Sequence, residues 1–330
     1  MQVEMKGLVY SLAAAFVGLT IPTECRDGMV SAVPKQPVIG IITVVYNKSK
    51  DRTMMATYER FFNGSGVQVI PLMGVQQMGE DIQKKLYDSL SSVMLQGGDN
   101  VGDDYKYIAN TTLGFAQADW QRGVQKPIFG ACYGIEFAMK FFDPKIKKRK
   151  RVARKVIPVK FPGKTTKGDY VATSGMSDKL AANIQNHSVT TNNHHYGFRP
   201  SDYKKNSFFE VVLESKATLP KGYTFAALIE GRNKSHPIYA TQFHPERVEA
   251  KQRIDREWQQ KFSDYYAGFC QSKIRSFPTF PTALLEKIQA LPYTIIDNQQ
   301  FYNKDRPAIV YNATTVAAFT KLVTDYYKEN

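Results

Sequence analysis

The sequence predicts an α/β fold: a mostly parallel central sheet flanked by helices on both faces, with a helical C-terminal extension. Three observations carry this reading. Short continuous apolar runs alternate with amphipathic stretches through residues 37–142, the pattern of parallel strands covered on both sides. Extended, β-branched runs crowd residues 151–243, which suits an antiparallel extension of the same sheet. Residues 251–330 read as helices around a Pro-rich interruption, "SFPTFPTALL".

Taken in order, "PVIGIITVVY" (37–46) is apolar and β-branched throughout and reads as a buried parallel strand. "RTMMATYERFFNGSG" (52–66) has helical spacing and a glycine stop, and "VQVIPLM" (67–73) is a second strand. A polar helix over 78–90 leads to "SVMLQGG" (92–98), a third strand ending in two glycines. A helix over 103–123 precedes "PIFGA" (127–131), the fourth strand, and "YGIEFAMKFF" is the helix after it. Four further β signals follow: "RVARKVIPVKF", "SFFEVVLES", "YTFAALIEG" and "PIYATQF". "TTVAAFTKLVTDYYKE" (314–329) is an amphipathic helix that should pack back on the domain. No internal repeat and no clear linker interrupts the chain, so one α/β domain with an extension is expected.

Composition agrees with a folded chain. Of 330 residues, 43% are hydrophobic, which argues against disorder. The net charge of +14 points to an acidic partner, substrate or surface. Residues 1–25 carry an early lysine and then an apolar run too short to span a bilayer. They read as a secretory signal peptide, the alternative being a buried N-terminal helix. Residues 26–36 form a short segment before the domain, and no other stretch is a membrane candidate. Six Asn-x-Ser/Thr sequons, at Asn47, Asn63, Asn110, Asn186, Asn233 and Asn312, agree with export to an extracellular or lysosomal/vacuolar compartment. The three cysteines, Cys25, Cys132 and Cys270, are not a disulfide framework. A Cys25–Cys270 bridge stays open if Cys25 is retained.

Three features carry chemistry. Gly130-Ala-Cys132-Tyr-Gly134 after an apolar strand has the layout of a nucleophile elbow, a tight turn that small neighbours allow. The helix N-terminus beneath it favours a thiolate. Alone, the pentapeptide suits a small buried core cysteine equally well. In "YATQFHPE", His244 follows a strand and Glu246 stands two residues on. A histidine there can act as base to the thiol, and the glutamate can orient its ring. Any single His-x-Glu is more often a surface pair. Backbone N–H groups at Gly97-Gly98 and at Tyr133 could hold an oxyanion. A plain strand-ending turn is the bland reading of the two glycines.

These features, in this order, resemble class I glutamine amidotransferase-like hydrolases, and within them the γ-glutamyl hydrolases (folylpoly-γ-glutamate hydrolases). "PVIGI", "TYERFFNGSGVQVIPL", "LQGGD", "PIFGACYGIEF" and "YATQFHPE" match that family's blocks over roughly 37–250. The resemblance implies a flavodoxin-like three-layer domain over 37–250, with 251–330 as a helical extension packing on it. It implies Cys132 as nucleophile, His244 as base and Glu246 as orienting acid. Gly98 and Tyr133 would form the oxyanion hole, and Gly97 and His195 would contact substrate. His194 is the neighbouring alternative to His195 in "NNHHYGF", and Glu136 matches a family glutamate. Tyr133 stands where the family usually has leucine. The implied reaction cleaves γ-glutamyl amide bonds of folylpoly-γ-glutamates through a thioester, with no metal and no cofactor. A γ-glutamyl peptidase acting on glutathione-like conjugates, a glutaminase and an idle secreted binding protein are the alternatives.

"KIKKRKRVARK" (145–155) holds eight basic residues in eleven. A solvated loop, a processing site and an attractor for polyanionic γ-glutamate tails are its competing readings. The partner implied is the small poly-γ-glutamyl substrate. No nucleic-acid motif occurs and no stable membrane anchor is expected, while a homodimer stays open.

Overall fold

Val38–Ile42, the first apolar run, is buried at all five positions, so neither side of this strand faces water. Only a layer on each face of the sheet produces that pattern. In the computed structural model the chain begins β1 (Val38–Ile42), β2 (Val44–Val45), β3 (Arg52–Met55), α1 (Ala56–Asn63), β4 (Gln68–Leu72) and α2 (Glu80–Ser89). Next come β5 (Ser92–Leu95), α3 (Asp103–Gln121), β6 (Ile128–Ala131) and α4 (Tyr133–Phe142). The middle holds β7 (Arg149–Ala153), β8 (Val156–Ile157), α5 (Asp178–Asn186), β9 (Thr190–Thr191), β10 (His194–Gly197), β11 (Phe209–Lys216), β12 (Thr224–Gly231) and β13 (Ile238–Thr241). The last part is α6 (Arg253–Ile274), α7 (Thr282–Gln289), β14 (Thr294–Asp297), β15 (Pro307–Tyr311) and α8 (Ala313–Glu329). The described residues are 36–45, 51–98, 101–153, 155–217, 223–274, 277, 280–297 and 307–330. The signal-like segment, Cys25, the Asn47 sequon and Arg154 of the basic run lie outside them.

The main sheet has seven strands in the order β11-β12-β13-β6-β5-β1-β4. Neighbours from β13 to β4 are parallel, and β12 and β11 add on antiparallel. From β1 the chain moves outward to β4, then returns to β5 on the other side of β1. That reversal opens a crevice at the carboxyl ends of the strands, where open α/β sheets bind ligands. β5, β6 and β13 all end there, and they carry Gly97, Cys132 and His244.

Two expectations change. The helix expected from residue 52 begins at Ala56, because Arg52–Met55 pairs with β15 and β2 as a strand. The extension is helical but also supplies β14 and β15, completing a four-stranded sheet in the order β14-β15-β3-β2. Residues far apart in the chain thus tie the extension to the segment entering α1. The final helix starts at Ala313, where the Asn312 side chain accepts a hydrogen bond from the Thr315 N–H at 2.8 Å. It buries Val316, Phe319 and Val323, each such side chain contributing roughly 1.5–3 kcal/mol. Lys85 Nζ on α2 donates to the Tyr327 carbonyl at 2.7 Å.

Candidate active site

β6 ends at Ala131 and α4 begins at Tyr133, which leaves Cys132 alone in the turn. Its φ of +52° makes it the only non-glycine among the described residues with positive φ. Such a conformation costs on the order of 1–3 kcal/mol and persists only when neighbours enforce it. Here they do. The Cys132 N–H donates to the Thr241 carbonyl at 2.8 Å, tying the elbow to the end of β13. A β-carbon on Gly134 would lie 2.1 Å from the Leu95 carbonyl oxygen, and one on Gly130 would lie 3.2 Å from the Gly134 carbonyl carbon. The two glycines therefore let strand, turn and helix close on one another. Cys132 is the N-cap of α4, and the helix N-terminus favours an anionic sulfur.

β13 hands the chain to the loop bearing His244 and Glu246. The His244 N–H donates to the Thr191 carbonyl at 2.8 Å, which pins that loop. His244 Nδ1 and Glu246 Oε1 are 2.8 Å apart. Both side chains are buried, so solvent neither screens nor loosens the pair. Burial pushes the Glu246 carboxyl up, but the charge of His244, its hydrogen bond and the neighbouring Arg247 outweigh this. The carboxyl is held below its ordinary value and Glu246 is an anion. Arg247 Nε stands 3.3 Å from Glu246 Oε1, without the alignment of a hydrogen bond.

Gly97 joins the two halves. A β-carbon there would lie 2.8 Å from Cys132 Cβ and 3.1 Å from His244 Cε1. Cys132 and the His244 imidazole thus flank one glycine, and only a missing side chain permits it. Gly98 lies one residue on, packed against Val44. The Gly97 N–H points to Tyr58 Oη at 3.4 Å. Before it, Gln96 takes the Met55 N–H at 3.3 Å on Oε1 and gives Nε2 to the Thr53 carbonyl at 2.8 Å. "QGG" therefore clamps β3 with its first residue and seats the site with its second. Cys132 Sγ lies 3.8 Å from the Asn193 carbonyl oxygen.

A family model described as glutamine amidotransferase class-I matches residues 62–257, which include Gly97, Cys132, His244 and Glu246. The chain belongs to the class I glutamine amidotransferase family. Within it, this amidotransferase-family chain is similar to γ-glutamyl hydrolase B of Dictyostelium discoideum, 25% identical over 240 residues. That match covers 66% of this chain and 65% of the Dictyostelium protein. It is also 21% identical over 222 residues to γ-glutamyl hydrolase of Rattus norvegicus, covering 65% of this chain and 68% of the rat protein. The chain thus spans about two thirds of the length of these curated relatives. Among solved structures it is similar to the glutaminase domain of Trypanosoma brucei CTPS with bound acivicin, at 13% identity and a TM-score of 0.45. That match covers 74% of this chain and 97% of the trypanosome domain.

On this amidotransferase frame the remaining candidates separate. His195 is exposed on β10, whereas His194 is buried with both ring nitrogens facing oxygens, the Tyr196 carbonyl at 2.8 Å and Asn192 Oδ1 at 3.2 Å. Tyr133 is half-buried, its ring against the edge of Tyr105 at 5.8 Å. Tyr105 Oη in turn donates to the Gln96 carbonyl at 2.9 Å, so the residue after Cys132 leans on the strand that carries "QGG". Glu136 pairs with Lys148 at 2.8 Å. Cys270 is a buried free thiol on α6, and burial pushes its thiol well up. Among the described residues no cluster of three or more His, Cys, Asp or Glu could hold a metal ion. No helix there is long and apolar enough to cross a membrane.

Beside the dyad runs a groove of roughly 1650 Å³. Thr57, Arg60 and Gly64 on one face of α1 form one wall, and Arg256, Gln260, Ser263 and Ala267 along α6 form the other. Asn193, His195, Glu246 and Arg247 close its inner end, while Cys132 and His244 lie just behind that end rather than in the wall. The composition alone does not expose this groove, Tyr58, Gln96 or Arg247. For Arg247 the only signal is its place directly after "HPE".

Proposed function

We propose that the chain is a thiol-dependent hydrolase of γ-glutamyl amide bonds, with folylpoly-γ-glutamates as its substrate class. The observation that carries this is the shared glycine: Cys132 and His244 flank Gly97, and Glu246 holds the far nitrogen of the imidazole at 2.8 Å. The printed names of the Dictyostelium and rat relatives support the bond type.

The steps follow from these residues. Cys132 gives its proton to His244, and the sulfur attacks the γ-carbonyl carbon, forming a C–S bond. The oxyanion falls to the backbone N–H groups of Gly98 and Tyr133. The Gly97 N–H already turns to Tyr58, which leaves the next amide as the candidate donor. The C–N bond breaks as His244 returns its proton to the leaving amine. Water, deprotonated by His244, then attacks the thioester, the C–S bond breaks, and the γ-carboxylate leaves. Glu246, an anion throughout, keeps the Nδ1 proton in place and stabilises the imidazolium.

Export through the secretory pathway belongs to the same proposal. It is supported by the signal-like first 25 residues and by exposure of all five described sequon asparagines, Asn63, Asn110, Asn186, Asn233 and Asn312. One experiment tests the chemistry. Purified protein and Cys132→Ala are each given folylpoly-γ-glutamate, glutathione and glutamine. Turnover of the first by the wild type alone is expected, whereas turnover of glutamine only would overturn the substrate class.

A further inference from the structure

We infer that the groove between α1 and α6 is a subsite for the anionic tail of the substrate, and that Arg60, Lys155, Lys251 and Arg256 are its carboxylate-binding residues. This rests on the γ-glutamyl reading of the site. It places the tail apart from the basic run at 145–155, for which attraction of such tails was one of three readings.

All four cations are exposed and line the groove. Among the described residues none has a carboxylate within salt-bridge distance. The groove lining holds five cations, Arg60, Lys155, Arg247, Lys251 and Arg256, and four carboxylates, Glu246, Glu249, Asp255 and Asp264. The carboxylates are engaged away from the four exposed cations: Glu246 faces His244, Asp255 lies 3.0 Å from His187, Asp264 accepts from Gln260 at 2.7 Å, and Glu249 has a partner as well. The four exposed cations are thus positioned to pair with carboxylates of a ligand rather than with those of the wall.

Geometry supplies the direction. Tyr58, near the start of α1, has its hydroxyl 3.4 Å from the Gly97 amide, so the helix begins at the reacting centre and leads away from it. Gly268 leaves space at the far end, where a β-carbon would meet nothing within 4 Å. A chain with one carboxylate per unit, held at Cys132, has this path to follow. Of the described residues of the basic run, only Lys155 lines it. Lys148 is paired with Glu136 and Arg149 with Asp202.

Two variants separate the locations: Arg60→Gln/Lys155→Gln/Arg256→Gln in the groove, and Lys145→Gln/Lys147→Gln/Lys150→Gln on the ribbon. Each is read twice. Hydrolysis of folate carrying one or five added γ-glutamates gives KM, and titration of penta-γ-glutamate into the Cys132→Ala protein gives Kd without turnover. The groove variant should raise KM for the long substrate and Kd about tenfold, as three exposed pairs imply. The loss should be smaller for the short substrate, whose tail reaches fewer of these residues, and the ribbon variant should change neither constant. Unchanged constants in the groove variant, or a loss in the ribbon variant instead, would overturn the subsite. Penta-γ-glutamate binding that depends on the groove, with no turnover of either folate, would uphold the subsite and remove the hydrolase reading.

Discussion

Glu246 Oε1 lies 2.8 Å from His244 Nδ1, both side chains are buried, and Arg247 stands behind them at 3.3 Å from the same carboxylate oxygen. Two opposing effects meet at this carboxyl: burial favours the acid, and the neighbouring His244 and Arg247 favour the anion. The neighbours win.

Arg247 is therefore a positioning residue whose removal should show in pH dependence. With its carboxyl depressed, Glu246 contributes stability and imidazole orientation above its unfolded value, and loses both as pH falls through the folded value. Arg247→Met removes one of the charges holding the carboxyl down. The acid limb of kcat/KM should then move to higher pH, while Arg247→Lys keeps it in place. A limb that stays fixed in Arg247→Met speaks against the assignment.

Gly97→Ala tests the junction of Cys132 and His244, the proposed nucleophile and base. Its methyl would press on Cys132 Cβ at 2.8 Å and on His244 Cε1 at 3.1 Å, and overpacking of this kind costs about 1–3 kcal/mol. A displacement near 1 Å can cost roughly a hundredfold in rate. Activity should fall far more than stability, with kcat from steady-state kinetics and Tm from melting making the comparison. Wild-type kcat in a folded Gly97→Ala protein would refute the shared-glycine geometry.

How much of this was legible beforehand follows from the range of the signals. β1, β4, β5 and β6 were readable because each is a continuous apolar run, which a strand buried on both faces requires. The helix Tyr133–Phe142 was readable as an amphipathic run, and the turn before it from the glycines around Cys132. Met54 and Met55 were misread as helix: their local spacing suits one, and only pairing with Ile309 and Ala308, more than 250 residues away, makes them a strand. "AIVY" in β15 carries a β-branched signal, but it lay in a segment taken to be helical. That Cys132, His244 and Glu246 come together was legible through their motifs. Tyr58, Gln96 and Arg247 were not, since their roles arise from tertiary neighbours and from no spacing of their own.

The strained elbow predicts an unusual stability order. Glycine adopts positive φ without the β-carbon penalty that alanine bears. Cys132→Gly should therefore be more stable than Cys132→Ala by about 1 kcal/mol, within the strain such a residue stores. Urea unfolding of the two inactive proteins measures it. Equal or reversed stabilities would show that Cys132 carries no backbone strain.

The two described thiols should differ in reactivity. Burial pushes the Cys270 thiol well up, whereas Cys132 caps a helix N-terminus beside His244. Iodoacetamide on native protein at neutral pH should label Cys132 and spare Cys270, and Cys270→Ala should keep full activity. Peptide mapping by mass spectrometry reads this out; preferential labelling of Cys270 would contradict it.

The central claim is that Cys132 carries the acyl group of a γ-glutamyl substrate. The most direct measurement is the mass of the Cys132-containing peptide after rapid acid quench during turnover of a folylpoly-γ-glutamate. A thioester adduct on that peptide in the wild type, absent from Cys132→Ala, is the predicted result. Turnover in Cys132→Ala at the wild-type rate, or an adduct on any other residue, would contradict it.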